Sequence, residues 1–167
     1  MKYKGEDVQV RVHPVMQNRK QIPMYYINKF SYQDGDPMLS SPIICRWGEV
    51  ILNRAEAYAH MGGKDAEALA DVNVLRERAG IPADGMFSTG KMHGYASALD
   101  VVLDERRLEL AFEGHRLFDL IRNKRQINRL YPGAQPWEIV EPDYPKLQYP
   151  IPNNEWTVSG IQQNPTY

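Results

Sequence analysis

The sequence predicts a mainly α fold: a tetratricopeptide-like helical hairpin plus a long central helix, followed by an irregular Pro/Tyr-rich tail, with room for two short strands near the N-terminus. Three observations carry this. Apolar residues recur at helical spacing through residues 44–60 and 65–79. The stretch from Asp104 to Arg122, DERRLELAFEGHRLFDLIR, interleaves an apolar stripe with opposite charges. After Gln126 the spacing dissolves, because Pro132, Pro136, Pro142, Pro145, Pro150 and Pro152 each remove a backbone donor that a long element needs.

Residues 1–42 read as an extended and loop region. Val8, Val10 and Val12 alternate with polar neighbours, and Met24 to Tyr32 is rich in strand formers. Asp34-Gly-Asp-Pro37 and Ser40-Ser-Pro42 are turn chemistry. Tyr25, Tyr26, Phe30 and Tyr32 are either half-buried strand aromatics or a stacking surface for a flat ligand. The helical scaffold then occupies residues 43–125.

From about Ile44 to His60, Trp47, Ile51, Ala55 and Tyr58 share a helix face, with Leu52 and Ala59 beside them. Gly62-Gly63 ends that helix, and Asp65 suits the cap of the next, which carries Ala68, Leu69, Val72, Leu75 and Ala79. Gly80 and Pro82 stop it. Ala55, Tyr58, Ala68, Val72 and Pro82 approximate the small and aromatic positions of a tetratricopeptide pair. A glycine-containing loop over 83–96 follows, and Ser97 suits the cap of the third helix.

In that third element Leu103, Leu110, Phe112, Leu117, Phe118 and Ile121 form a stripe that must face other helices. Glu105, Arg106, Arg107, Glu109, Glu113, Arg116, Asp119 and Arg122 stand between them, often three or four apart, so they suit an ion-pair lattice on the helix surface. Gly114 should break or kink it. His115 and Asp119, four apart, are a weak metal pair, since zinc needs three or four converging ligands. Residues 126–167 should wrap over the helices, anchored by Tyr131, Trp137, Tyr144, Tyr149 and Trp156.

A chain of 167 residues is expected to form one domain. Its net charge of -1 gives no global pull toward nucleic acid or acidic membranes. Cys45 is the single cysteine, so no internal disulfide forms, and its setting in Pro-Ile-Ile-Cys-Arg-Trp suggests burial. No apolar run approaches the ~20 residues of a membrane helix, and the first 20 residues hold no signal-peptide core. His13, His60, His93 and His115 are dispersed, and neither HExxH nor GxSxG occurs. No catalytic residue, metal ligand or cofactor is therefore assigned. Two carboxylates at glycosidase spacing remain open as an alternative, as does a tetratricopeptide-like protein-interaction scaffold.

Three separated blocks fall into one pattern. Cys45 to Gly80, CRWGEVILNRAEAYAHMGGKDAEALADVNVLRERAG, carries RxxEvxLxxAEAy…lNxxRxRAG. Glu105 to Arg122, ERRLELAFEGHRLFDLIR, carries ERRxELaFEGhRxxDLiR. The end, YPIPNNEWTVSGIQQNPTY, resembles YPIPxxE…QNPxY. Together they resemble the C-terminal part of the SusD/RagB-type outer-membrane nutrient-binding lipoproteins.

The resemblance implies a helical scaffold on the outer face of the Gram-negative outer membrane. It implies non-enzymatic capture of a nutrient, an oligosaccharide foremost, for delivery to a SusC-like, TonB-dependent transporter. Asn73, Arg76, Arg78, Glu105, Arg106, Arg107, Glu109, Glu113, Arg116 and Asp119 are implied to be scaffold residues. Family members run to several hundred residues and hold a lipidated cysteine ahead of further helical pairs. None of these is in this chain, and Cys45 lies inside a scaffold motif, so membrane attachment would need an anchor absent here, and a truncated or proteolysed product is expected. Ser159-Gly160 replaces the usual Asn-Pro turn, and Thr166 a common glycine. The motifs place no ligand residue. Composition alone offers Tyr25, Tyr26, Tyr32, Trp137 and Tyr144 as sugar-stacking candidates, with Asn28, Gln33 or Asp36 as hydrogen-bonding partners.

Overall fold

The computed structural model describes residues 2–3, 6–7, 29, 33–36, 39–128 and 139–164, in two units, Met1–Ile44 and Cys45–Tyr167. In the first, β1 (Lys2–Tyr3) pairs antiparallel with β2 (Glu6–Asp7), Lys2 opposite Asp7. Strand pairing thus occurs near the N-terminus, ahead of the expected runs. Val8, Val10 and Val12 lie outside the described residues, and of Met24 to Tyr32 only Lys29 is described, in a turn. The turn chemistry at Asp34-Gly35 is realised: Asp36 N–H donates to the Gln33 carbonyl at 3.0 Å.

The second unit is built on α1 (Trp47–His60), α2 (Asp65–Arg78) and α3 (Ala98–Glu109), each packed on the other two. Leu52, Ala55, Ala68, Leu69, Val72, Leu75, Val101 and Val102 form the centre of its core. The fully buried alanines Ala55 and Ala68 leave no side chain to hold the helices apart. Gly48 serves a second close approach, since a Cβ there would lie 2.7 Å from Glu109 Oε1. Ser97 caps α3 as expected, its Oγ accepting from Asp100 N–H at 3.2 Å. Asp65 does not cap α2; it is the first helical residue, after Lys64, which makes no side-chain cap bond.

The break expected at Gly114 spreads over residues 110–115, so the central stretch is two helices, α3 and α4 (Arg116–Arg122). Phe112 (φ 67°) and Gly114 (φ 82°) both take the left-handed conformation that reverses the chain. The stripe therefore does not stay on one face. Leu103, Leu110 and Leu120 are buried, while Phe112 (68 % exposed) and Phe118 (65 %) face outward. Trp47 also departs from its expected face and is 71 % exposed, at the start of α1. Cys45 is exposed, because it stands in the extended run leading into α1 and not inside a helix face.

Beyond α4, β3 (Ile127–Asn128) pairs antiparallel with β4 (Ile139–Val140), and a 3-10 turn covers Pro145–Leu147. The tail is less irregular than the prolines suggest, for α5 spans Asn153–Ser159. Pro152 stands at its start, where a missing N–H costs nothing, and no proline falls within it. The tail is tied to itself: Ile151 N–H donates to Gln163 Oε1 (2.8 Å) and Gln163 Nε2 donates back to the Ile151 carbonyl (2.9 Å). Tyr149 and Trp156 are exposed and so are not the expected anchors; Tyr131 lies outside the described residues. No helix among the described residues is long and apolar enough to cross a membrane.

Candidate functional site

The charges of the central stretch do pair, but mostly across elements and not along one helix. Arg106, buried in α3, donates to both Asp119 oxygens in α4 at 3.0 and 2.9 Å and to Asn53 Oδ1 in α1 at 2.7 Å. Glu56 of α1 accepts from Arg122 at 2.9 and 2.8 Å and from Asn123 at 2.7 Å. Burial pushes the Glu56 carboxyl up, yet these hydrogen bonds outweigh it and hold the group below its ordinary value. Arg46, just before α1, binds Glu109 and forks onto Glu113 at 2.9 and 3.0 Å. These contacts hold the guanidinium more firmly charged, Glu113 contributing most.

The remaining motif residues fasten the 83–96 loop. Asn73 clasps the Phe87 backbone both ways, Nδ2 to the carbonyl and Oδ1 from the N–H, each at 2.8 Å. Arg76 lies 4.6 Å over the Phe87 ring and donates to Glu105 at 2.9 Å and to the Gly85 carbonyl at 3.0 and 3.2 Å. Burial nevertheless raises the Glu105 carboxyl above its ordinary value against the pull of Arg76. Arg78 reaches Glu109 at 2.6 Å, and Arg116 donates to the Leu103 carbonyl at 3.0 Å. Of the expected local pairs, Arg107 with Asp104 and Arg122 with Asp119 form at three-residue spacing.

This network floors an open cleft of about 690 Å³ between α1 and α4. The buried Glu56, Arg106 and Asp119 form its floor, with the half-exposed Arg122 paired onto them; Glu49, Asn53, Ala57, His60, His115 and Phe118 complete the lining. Glu49 Oε2 stands 3.8 Å from His115 Nε2, so the i,i+4 pair weighed as a weak metal signal is split: His115 faces Glu49, and Asp119 is held by Arg106. Among the described residues no three His, Cys, Asp or Glu side chains are grouped to hold a metal ion.

Of the stacking candidates, Tyr25, Tyr26, Tyr32 and Trp137 lie outside the described residues. Tyr144 is half-buried ahead of the Pro145–Leu147 turn. Of the suggested polar partners, Gln33 uses Oε1 to accept from Ser41 N–H at 2.8 Å, Asp36 closes the tight turn, and Asn28 is not described. Sequence reasoning missed the cleft. Its signal was present, since Glu49, Asn53 and Glu56 are acids and an amide within the apolar pattern of α1, but their partners lie more than fifty residues away.

A helical-hairpin scaffold, locked by arginine–carboxylate pairs between its helices and carrying an open polar cleft, is the class these features define. The sequence profile described as the SusD family matches residues 11–167, and the chain belongs to that family. SusD-like protein P2 of Formosa agariphila is 33 % identical over 110 residues, which cover 64 % of this chain and 22 % of that protein. A SusD superfamily protein from Bacteroides thetaiotaomicron superposes with a TM-score of 0.65 at 29 % identity, over 90 % of this chain and 35 % of that one. A proposed sugar-binding protein from Bacteroides vulgatus gives 0.61 at 30 % identity, over 74 % and 28 %. The chain thus spans about a fifth to a third of the length of these relatives.

Proposed function

We infer that this chain serves the non-enzymatic capture of a nutrient, an oligosaccharide foremost, at the outer face of the outer membrane, for delivery to a SusC-like, TonB-dependent transporter. The observation that carries the reading is the SusD-family match over residues 11–167. The likeness to a proposed sugar-binding protein supports a glycan as the cargo. In this reading Tyr144, with Tyr25, Tyr26, Tyr32 and Trp137 from the undescribed segments, supplies stacking faces. The ion-paired Glu105, Arg106, Glu109, Glu113 and Asp119 hold the scaffold and do no chemistry.

The test is calorimetric titration of the folded 167-residue chain with neutral oligosaccharides, the same mixtures being checked by mass spectrometry for shortened products. Heat of binding with unchanged sugar masses is expected. Shortened products would replace capture with hydrolysis.

A further inference from the structure

We propose that the cleft between α1 and α4 is a subsite for a neutral sugar ring, Phe118 giving the stacking face and Glu49, Asn53 and His60 meeting hydroxyls. The inference rests on the capture reading and narrows it to a place and a charge class.

The floor and the rim of the cleft differ in what they have left to offer. On the floor, Arg106, Arg122, Glu56 and Asp119 saturate one another. On the rim, hydrogen-bonding capacity remains. Asn53 must turn its oxygen to Arg106, since a guanidinium only donates. Its amide nitrogen then has no partner among the described residues. The same logic fixes His60. Asn123 donates its nitrogen to Glu56 and to the Asp119 carbonyl, so its oxygen accepts from His60 Nε2 at 2.8 Å. In the neutral ring Nδ1 is then an acceptor. Among the described residues the nearest basic side chain to Glu49 is His115, whose Nε2 lies 3.8 Å from Oε2, beyond hydrogen-bond reach.

One donor and two acceptors around an exposed phenyl ring match a pyranose, which presents hydroxyls at its edge and C–H groups on its face. The cleft volume falls within the range of about 300–1,000 Å³ usual for small-ligand sites. Charge then selects among sugars. Three carboxylates, Glu49, Glu56 and Asp119, face two guanidiniums, Arg106 and Arg122, and both guanidiniums are already neutralised. An acidic sugar would meet the Glu49 carboxylate while both guanidiniums of the cleft are already paired with Asp119 and Glu56.

The experiment titrates the full chain with hexasaccharides of glucose, mannose and xylose, and with a hexamer of galacturonic acid, alongside Phe118→Ala and Glu49→Gln. Circular dichroism checks that each variant is folded; Phe118 is outside the core, so its loss should not unfold α4. The expected result is binding of at least one neutral probe, weaker or absent binding of the acidic one, and a loss of about tenfold in Phe118→Ala. Glu49→Gln should narrow the gap between neutral and acidic probes. A neutral probe bound equally by wild type and Phe118→Ala would overturn the subsite while leaving capture standing. Equal binding of neutral and acidic probes would overturn the charge selection, and binding of none would overturn subsite and glycan capture together.

Discussion

Arg106 of α3 ties two other helices together, touching Asp119 in α4 and, in α1, Asn53 and, at 3.5 Å, Glu56. A guanidinium so enclosed is tolerated only because each edge meets an acceptor. Asp119→Ala should therefore cost about 3–5 kcal/mol by urea unfolding, because the buried Arg106 loses both hydrogen bonds to its carboxylate and keeps only Asn53 and the 3.5 Å contact with Glu56; a cost below 1 kcal/mol would show that water reaches the pair. The carboxylates give an acid dependence. Glu56 and Glu109 are held below their ordinary value, in each case because arginine contacts outweigh burial. Their stabilisation is complete above roughly pH 4.3 and is lost as pH falls through their folded values. Glu105, raised by burial, acts oppositely, stabilising below that pH and losing its contribution as pH rises through its folded value. The melting temperature should drop on acidification below about pH 4.3, and Glu56→Gln should drop less steeply; parallel curves would refute this. The sequence showed these residues as charged and structural. It could not show which partners they choose, because three-residue spacing suggests neighbours that longer-range contacts displace.

At the scale of elements, α1, α2 and the cap of α3 were legible, since period, glycine stops and Ser97 all agreed. The turn over 110–115 was legible only as a glycine. Periodicity continued through it, so Phe112 and Phe118 looked internal when they are not. Gly114 holds φ at 82°, with nothing within 4 Å of an added Cβ. Gly114→Ala should thus meet backbone strain without steric clash and cost about 1–2 kcal/mol, measured by chemical denaturation. No loss would mean that the turn relaxes independently of α3 and α4. In the tail, α5 was hidden because the run of prolines up to Pro152 outweighed the proline-free stretch between Pro152 and Pro165 that holds it.

For the whole molecule, three motif blocks identified the family; the first two encode contacts with each other, and the third closes on itself. The stacking candidates carried no such signal, since stacking residues obey no spacing rule, and only Tyr144 of the five is described. The same contacts set an order of assembly. Arg46 meets Glu109 across 63 positions, and Glu56 meets Arg122 across 66, whereas α1 and α2 close on each other through a short loop. A ribosome adding about 5–20 residues per second needs roughly 3–13 s to supply the later partners. During that interval the α1–α2 hairpin carries its acids and arginine still hydrated, unable to seal its second face. Emergence of residues 105–122 ends the wait, so the nascent chain is locked only when its last scaffold motif has left the tunnel.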